Sequence, residues 1–501
     1  MTRPEQSIQI GDLMNQSGVK FGTSGARGLA DDMTDAVCYA YTKGFLQQMR
    51  DAGKLTEGAP VGIAGDFRHS TPRIMEACAR AAVEMGFPVI NCGKVPSPTV
   101  AAYGIARAMP TLMVTGSHIP DDRNGIKFNQ PAGEILKGDE EAIRGQTVVL
   151  PGGTFDAAGM LSAGAPPTLP AVDSGAADAY VRRYLDFFPK DCLAGCRIGL
   201  YEHSSVARGA MYEIFTGLGA EVQRLGFSDT FIPVDTEAIR PEDVELARGW
   251  GASGSYDSLV STDGDGDRPL VSDETGEWLR GDIAGILCAR YLGAQAVVTP
   301  VSSNSALELS GWFQRIVRTR IGSPFVIAGM QQAQAEGHRP VVGYEANGGF
   351  LTATDVQRDG RILPALPTRD AVVVALGILL LARERGCAVS QLSADLPQRF
   401  THSDRLKNFP TELSRERISG LATGDFAADK AAIEAVLGGH FGTVQAIDTT
   451  DGLRITFAGG EIAHLRPSGN APELRAYTEA DSPERAAEMN RICMQVLAGW
   501  R

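Results

Sequence analysis

A serine and a histidine stand side by side in the stretch VTGSHIPDDRNGIKF, as Ser117 and His118. The apolar run TLMV, which ends at the first valine of this stretch, predicts a β-strand that leads into it. Open α/β sheets bind their ligands at the carboxyl ends of strands, so Ser117 is a candidate nucleophile. Because glycine, serine, proline, aspartate and asparagine all favour turns, an ordinary turn is the alternative interpretation.

Three carboxylates alternate with glycines in STDGDGDRP, at Asp263, Asp265 and Asp267. In a local turn they can converge on one divalent cation, and oxygen-only ligation favours Mg²⁺ or Ca²⁺ over zinc. An EF-hand loop fits poorly because Arg268 stands where that loop requires glycine, and Pro269 follows it. A plain acidic turn is the other alternative. We interpret the stretch as a Mg²⁺ site.

Three further stretches combine glycine with polar or charged residues. KFGTSGARG contains Arg27 and could hold an oxyanion, although an ordinary surface loop explains it equally well. GYEANGGF offers Glu345 and Asn347 to sugar hydroxyls, and LRPSGNAPELRAY offers Arg466 and Ser468 to a phosphate. A serine, a carboxylate cluster, a hydroxyl-binding loop and a phosphate loop together suit phosphoryl transfer on a phosphosugar.

Several domains must position these stretches, because 501 residues are too many for one hydrophobic core. Short apolar runs alternate with amphipathic segments, which predicts α/β domains, and residues 371–382 predict a buried helix. Residues 152–176 predict a loop or linker, and LPQRFTHSDRLKNFP predicts a connector before a smaller α+β tail. We predict domains at residues 1–170, 171–275, 276–395 and 396–501.

The overall charge of the protein limits the classes of molecule that it is expected to bind. A formal net charge of −13 and a pI near 5.2 argue against nucleic acid or an anionic membrane, while local arginines and lysines could still hold an anionic small molecule. The eight cysteines are scattered, which predicts reduced thiols. The N-terminus lacks an apolar segment and no run of 18 apolar residues occurs, so we expect a cytoplasmic protein.

Taken in order, these stretches resemble the α-D-phosphohexomutase family, and more closely its phosphomannomutase/phosphoglucomutase branch. TGSHIPDDRNGIKF resembles the family's phosphoserine loop, DGDGDR its metal loop, GYEANGG its sugar-binding loop and RPSGNAPELR its phosphate-binding loop. GTSGARG is similar to its N-terminal signature. The resemblance spans essentially the whole chain. It implies three related α/β domains with mixed sheets and a smaller C-terminal α+β domain, arranged around a central cleft.

The resemblance also implies a reaction. Ser117 would carry a phosphoryl group and interconvert hexose 1-phosphate and hexose 6-phosphate, with hexose 1,6-bisphosphate as intermediate and activator. Mg²⁺ would bind Ser117 and the three aspartates. His118, Lys127 and Arg27 would be catalytic groups beside the nucleophile, with the general base and general acid left open. The implied substrate-binding residues are Arg268, Glu345, Asn347, Arg466, Ser468, Gly469, Asn470 and Arg475.

Departures from the family pattern bear on the choice of hexose. Ile119 stands where asparagine is usual, Asn347 where many members have serine, and Ser323 where many have histidine; the sugar loop also lacks the histidine that ends it in many members. We expect a phosphomannomutase that also accepts glucose phosphates. A phosphoglucosamine mutase and an inactive sugar-phosphate-binding relative are the alternatives. The inactive relative is disfavoured because the serine and all three aspartates are present.

Overall fold

The protein is described by a computed structural model that covers residues 4–22, 25–164, 166–468 and 472–501. Four larger β-sheets organise this part of the chain, and we call the parts of the chain built around them units I, II, III and IV. The described residues therefore have the predicted α/β architecture with mixed sheets. Within them, no helix is both long and apolar enough to cross a membrane.

Unit I contains nine strands and five helices. Its strands are β1 (Gln6–Gln9), β2 (Lys20–Phe21), β3 (Gly25–Leu29), β4 (Val61–Gly65), β5 (Val89–Lys94), β6 (Thr111–Val114), β7 (Arg123–Gln130), β8 (Gly133–Glu134) and β9 (Thr147–Leu150). Its helices are α1 (Ile10–Ser17), α2 (Asp35–Asp51), α3 (Thr71–Glu84), α4 (Ser97–Arg107) and α5 (Lys137–Gly145). Strands β1 and β9 form a separate two-stranded sheet.

Units II and III are smaller α/β units. Unit II contains α6 (Gly175–Phe187), β10 (Arg197–His203), α7 (Arg208–Gly217), β11 (Glu221–Phe227), α8 (Pro241–Gly251), β12 (Ser258–Thr262) and β13 (Pro269–Val271). Unit III contains α9 (Gly281–Tyr291), β14 (Ala296–Pro300), α10 (Ala306–Leu309), β15 (Arg315–Thr319), α11 (Ser323–Ala335), β16 (Val341–Tyr344), β17 (Phe350–Thr352), the hairpin β18 (Val356–Arg358) and β19 (Arg361–Leu363), α12 (Ala371–Arg385) and α13 (Val389–Ala394).

Units I, II and III share one four-strand arrangement. The strand orders are β5-β4-β6-β7, β11-β10-β12-β13 and β15-β14-β16-β17, and in each the first three strands are parallel while the fourth is antiparallel. The loop between the third and fourth strands leaves the carboxyl end of a buried strand in every case. We call these loops the serine loop (residues 115–122), the metal loop (263–268) and the sugar loop (345–349). Three predicted site stretches thus occupy equivalent positions in three units.

Unit IV is built on a five-stranded antiparallel sheet of order β20-β24-β23-β22-β21. Its elements are β20 (Phe400–Leu406), α14 (Thr411–Leu421), α15 (Phe426–Ile433), a π-helical turn (Glu434–Gly438), α16 (Gly439–Phe441), β21 (Val444–Asp448), β22 (Leu453–Phe457), β23 (Ile462–Pro467), β24 (Leu474–Ala480) and α17 (Pro483–Ala498). The loop between β23 and β24 is the phosphate loop (residues 468–473). The expectation of a plain connector at LPQRFTHSDRLKNFP was wrong, because this stretch contains the edge strand β20.

The buried helix predicted for residues 371–382 is confirmed as α12, which packs in a core shared by units II and III. Asp370 caps its N-terminus, where the carboxylate accepts the N–H of Val372 at 3.1 Å. The same carboxylate accepts hydroxyls from Tyr180 and Tyr184 of unit II. These bonds fix the start of α12, and therefore the residue that precedes it, against unit II.

Candidate active site

Ser117 lies in the serine loop, just beyond the carboxyl end of β6, and is 2% exposed. Its φ of 55° lies in the left-handed region, which residues other than glycine rarely adopt. The N–H of Ser117 donates to Thr115 Oγ1 at 2.8 Å, its Oγ donates to Asp263 Oδ2 at 2.6 Å, and His118 Nδ1 is 3.3 Å from Oγ. Ser117 is a turn residue by its backbone, but its hydroxyl faces a carboxylate of another unit, which an ordinary turn would not require.

The metal loop contains three buried carboxylates. Asp263, Asp265 and Asp267 are at most 1% exposed, and one oxygen of each lies within 4.8 Å of the others. The loop joins two β-strands, whereas an EF-hand loop joins two helices, so that alternative is excluded. Burial also disfavours a plain acidic turn, whose carboxylates would be solvated.

The same carboxylates fit a divalent cation. Asp265 Oδ1 and Asp267 Oδ1 are buried and lack hydrogen-bond partners among the described residues. Burial, and then the negative charges of Asp265 and Asp267, raise the pKa of Asp263. Crowded buried carboxylates require a positive partner, and oxygen-only donors match the preference of Mg²⁺ or Ca²⁺.

Lys127, on β7, supplies positive charge beside the metal loop. Its Nζ lies 2.5 Å from Asp265 Oδ2 and 2.5 Å from Asp267 Oδ2. Burial lowers the pKa of Lys127, but these two carboxylates outweigh burial and raise it overall. Ser97, which has no motif around it in the sequence, also donates to Asp265 Oδ2, at 2.5 Å.

The stretch KFGTSGARG is a strand pair where its composition suggested a loop. Strands β2 and β3 pair with each other, and β3 pairs with β7 so that Gly25 lies opposite Lys127. A Cβ on Gly25 would lie 2.1 Å from the Ile126 carbonyl oxygen, so glycine is required for this close approach. The described backbone pairs within the sheet, and besides burial the charges of Arg268 and Asp265 in the metal loop shift the pKa of Arg27. Thr23 and Ser24 lie outside the described residues.

Positive groups gather near Ser117. Burial, followed by the charge of Arg268, lowers the pKa of Arg27 to about 10 and that of His118 to about 3, so the imidazole is neutral at pH 7. Arg268 Nε lies 3.9 Å from Asp263 Oδ2. The charges of Arg27 and Arg268 repel each other and both act on His118, the neighbour of Ser117, so an anion there would be stabilised.

The sugar loop brings a carboxylate and an amide to the same site. The N–H of Glu345 donates to the Gly349 carbonyl at 3.0 Å, and Asn347 Oδ1 accepts the N–H of Gly349 at 2.9 Å. Asn347 therefore presents its amide N–H groups as donors. Arg369, which no motif indicated, forms an ion pair of 3.0 Å with Asp267 Oδ2 and donates to Glu345 Oε2 at 3.4 Å. The sugar and metal loops are thus joined.

The phosphate loop lies on unit IV between two arginines. Arg466 and Arg475 face each other across β23 and β24, and Arg405 of β20 faces Arg475. Arg466 Nε lies 2.9 Å from Asp451 Oδ2, and Arg475 Nη2 donates to Glu473 Oε2 at 3.0 Å. Like charges directly opposite on a sheet repel, so this row also favours an anion. The N–H of Ser468 donates to the carbonyl of Glu473 at 2.8 Å, while Gly469 and Asn470 lie outside the described residues.

A cavity lies where the sugar loop approaches unit IV. It is lined from units II and III by Arg280 and by the sugar-loop residue Ala346, and from unit IV by Arg454 and His464. His464 precedes Arg466 by two residues on β23. The serine and metal loops are therefore in contact through Ser117 and Asp263, and Arg369 joins the metal and sugar loops. The cavity lies between the sugar loop and β23, the strand that leads into the phosphate loop.

Comparison with known proteins decides the family. The phosphoglucomutase/phosphomannomutase family models for alpha/beta/alpha domain I, alpha/beta/alpha domain III and the C-terminal domain match residues 18–148, 280–400 and 420–495. A phosphomannomutase of Sinorhizobium fredii is 43% identical over 478 residues, covering 94% of this chain and 97% of the relative. The chain belongs to the phosphoglucomutase/phosphomannomutase family. It is a phosphohexomutase, and therefore an isomerase, as its sequence predicts.

More distant relatives agree with this assignment. A phosphoglucosamine mutase of Sorangium cellulosum is 29% identical over 513 residues, covering 96% of this chain and 93% of the relative. The solved structure of a phosphoglucomutase/phosphomannomutase family protein from Burkholderia thailandensis is 19% identical and superposes with a TM-score of 0.72, covering 95% of this chain and 96% of that chain. The phosphohexomutase thus shares the fold of a protein whose sequence is far removed.

Arg68 is a buried residue of this phosphohexomutase that sequence motifs did not indicate. Its Nε donates to Asp66 Oδ2 at 3.1 Å, and its guanidinium lies 3.9 Å from the ring of Phe231 in unit II. The two remaining nitrogens donate, at 2.6–3.0 Å, to four backbone carbonyls in and beside the serine loop: Ser117, Ile119, Pro120 and Arg123. One side chain thereby holds the backbone that presents Ser117. The only signal for Arg68 in the sequence is that it follows the end of the predicted strand VGIAGD.

Replacing Arg68 by lysine should loosen the serine loop. Lysine keeps the charge, but its single nitrogen cannot reach all of these acceptors. We expect kcat to fall roughly 10- to 100-fold with KM little changed, because small displacements of a reacting group are costly. The free energy of unfolding should also fall, by about 1–3 kcal/mol. Steady-state kinetics and thermal unfolding measure both.

Arg240→Lys is the matched control, since Arg240 pairs with Asp243 in unit II, away from the serine loop. It should lose some stability and keep its kcat. Equal kcat values in the two variants would show that Arg68 does not position Ser117 for catalysis.

Proposed function

We propose that this phosphohexomutase interconverts the 1- and 6-phosphates of mannose and also accepts glucose phosphates. The named activity of the Sinorhizobium relative supports mannose as the principal sugar. The proposed route passes through phospho-Ser117 and a hexose 1,6-bisphosphate, which also acts as an activator by phosphorylating free Ser117. The eight cysteines are free thiols, which suits the cytoplasm as the place of action.

One observation carries this proposal: the Ser117 hydroxyl lies 2.6 Å from Asp263, between three buried carboxylates and a group of cations. A phosphoserine transfers its phosphoryl group only when the negative charge is neutralised. Mg²⁺ held by Ser117 and the three aspartates would supply that neutralisation as a Lewis acid. Arg268 and Arg27, whose charges both add to burial in lowering the pKa of His118, would hold phosphoryl oxygens.

The transfer proposed for this site balances as follows. The bond from phosphorus to Ser117 Oγ breaks, and a new bond forms to a hydroxyl oxygen of the sugar phosphate. That hydroxyl loses one proton and Ser117 Oγ gains one, so the serine hydroxyl is restored. The reverse transfer then returns the other phosphate of the bisphosphate to Ser117. His118 is neutral at pH 7 and can accept a hydrogen bond, whereas Lys127, paired with two carboxylates, is protonated and adds positive charge beside the metal loop.

The two other loops would hold the substrate. Glu345 and Asn347 offer an acceptor and a donor to sugar hydroxyls, which fits a pair of neighbouring hydroxyl groups. The phosphate that is not being transferred would bind Arg466 and Arg475 together with Ser468, Gly469 and Asn470. The row of arginines supports this assignment, because among the described residues Arg405, Arg466 and Arg475 share two acidic partners, Asp451 and Glu473.

Replacing Arg466 by alanine should weaken substrate binding. The loss of a charge-assisted contact to phosphate costs about 2–4 kcal/mol, which corresponds to a rise in KM on the order of 30- to 1000-fold. Arg485→Ala is the control, because Arg485 forms ion pairs with Glu461 and Glu488 in the same unit. An altered Mg²⁺ requirement with an unchanged KM would place the phosphate loop outside substrate binding.

A coupled assay tests the proposed substrate. The enzyme is supplied in turn with the 1-phosphates of mannose, glucose and glucosamine, each with a trace of its bisphosphate. We expect the highest kcat/KM for mannose 1-phosphate and measurable turnover of glucose 1-phosphate. The highest value for glucosamine 1-phosphate would establish the alternative mutase, and binding of all three without turnover would establish an inactive relative.

A further inference from the structure

Arg369 is a buried cation at the junction of three units. It is 4% exposed. Its two terminal nitrogens reach different loops, since Nη2 pairs with Asp267 Oδ2 at 3.0 Å and Nη1 donates to Glu345 Oε2 at 3.4 Å. The first carboxylate belongs to the metal loop and the second to the sugar loop. A single planar group therefore connects the predicted cation site with the predicted hydroxyl-binding site.

The position of Arg369 is fixed on both sides. Asp370, the next residue, caps the buried helix α12, and its N–H donates to the Phe350 carbonyl at 2.8 Å. The aliphatic part of Arg369 packs on Gly349, where a Cβ would lie 2.5 Å from its Cδ. Glycine at the end of the sugar loop thus makes room for the arginine. The arginine is held in place before any substrate binds, as preorganisation requires.

Unit I contributes a third carboxylate to this junction. Glu134 accepts the hydroxyl of Thr368 at 2.6 Å and that of Ser323 at 3.1 Å. Burial lowers the pKa of Arg369, but the charges of Asp267, Glu134 and Glu345 outweigh burial and raise it. Any cation at this position could neutralise the charge of these carboxylates. The simultaneous contact with two loops requires the fork of an arginine.

We propose that Arg369 is a positioning residue that aims Glu345 at a substrate hydroxyl and ties that contact to the metal loop. By holding Oε2 of Glu345, it would leave the other oxygen, Oε1, to accept the substrate hydroxyl. The inference rests on the function proposed above, in which Glu345 binds the sugar. Its consequence is that recognition of one hydroxyl depends on a residue that does not itself contact the sugar.

The test compares mannose 1-phosphate with its 2-deoxy, 3-deoxy and 4-deoxy analogues. In the wild type, we expect kcat/KM to fall roughly 10- to 100-fold for the analogue that lacks the hydroxyl bound by Glu345. In Arg369→Lys, the activity with mannose 1-phosphate should fall by a similar factor, and the penalty for the missing hydroxyl should shrink to about threefold. Glu345→Gln should show the same loss of discrimination, and the double variant should be no worse than the poorer single variant.

Arg358→Lys is the matched control, because Arg358 also lies in unit III and bonds the Tyr291 carbonyl and the Glu384 carboxylate. It should discriminate among the analogues as the wild type does. Full discrimination retained in Arg369→Lys, whatever its rate, would overturn the proposal. If Arg369→Lys does not fold, Glu345→Gln provides the test. Full discrimination among the analogues in that variant would also overturn the proposal. A wild type that turns over no hexose phosphate would instead contradict the proposed function itself.

Discussion

Ser117→Ala should lower kcat by at least about 1000-fold, because a double displacement requires a covalent acceptor that alanine lacks. The fold should persist, since the residue contributes one side-chain hydrogen bond to Asp263 and its backbone remains held by Arg68. Initial rates with mannose 1-phosphate and its bisphosphate measure the effect. A residue with a turn role only would change stability by about 1 kcal/mol or less and leave turnover near normal.

Ser258→Ala is the control for this variant. Ser258 is also fully buried and donates to the Ser272 carbonyl, but it begins β12, at the opposite end from the metal loop. This variant should lose some stability and keep its turnover. If Ser117→Ala retained more than about a tenth of the wild-type rate, a barrier increase below about 1.4 kcal/mol, Ser117 would not be the phosphoryl carrier.

Asp265→Asn should also reduce kcat by at least about 1000-fold at saturating Mg²⁺. The substitution keeps the shape of the side chain and removes one of three clustered charges, so a hard cation loses an anionic ligand. The chain should still fold, because Asp263 and Asp267 are repelled less and Lys127 keeps its contact with Asp267. Kinetics and direct Mn²⁺ binding, measured by calorimetry, report the two effects separately.

Asp243→Asn is the matched control for the metal loop. Asp243 is equally buried but pairs with Arg240 and Tyr201 in the core of unit II. This variant should be less stable and should bind Mn²⁺ normally. Near-normal turnover by the Asp265→Asn enzyme after treatment with a chelator would show that the metal loop takes no part in the reaction.

The sequence is most informative where local pattern and chemistry coincide. Ser117, Asp263 and Glu345 each lie in a polar, glycine-containing loop that follows an apolar strand. The structure places all three loops at the carboxyl ends of equivalent strands. The strand and the loop together span only about ten residues. Such a pattern could be predicted without knowledge of the tertiary contacts. The domain boundaries and the roles of the site residues remain predictions.

Isolated arginines could not be predicted in the same way. Arg68 and Arg369 have no glycine-rich loop or clustered charge around them, and their partners come from distant parts of the chain. A surface ion pair and a buried link between two loops look identical in sequence. Only packing shows that these guanidinium groups are buried and shared.

Two strands were also hidden by their composition. Strand β20 is an exposed edge strand with the sequence FTHSDRL, so it lacks the apolar alternation that indicates a strand. Strand β3 contains Gly25 and Gly28, which resemble loop residues until the neighbouring strand is known. In both cases pairing with a partner strand, rather than local preference, determines the conformation.

Transfer of phosphate from Ser117 to the sugar is tested most directly in a single turnover. Enzyme labelled with ³²P at the peptide containing TGSHIPDDR, by incubation with labelled hexose 1,6-bisphosphate, is mixed with unlabelled mannose 1-phosphate and quenched at successive times. The label should leave Ser117 and appear in hexose phosphates at a rate at least equal to kcat. Formation of mannose 6-phosphate while the label stays on the protein would contradict a phosphoserine mechanism.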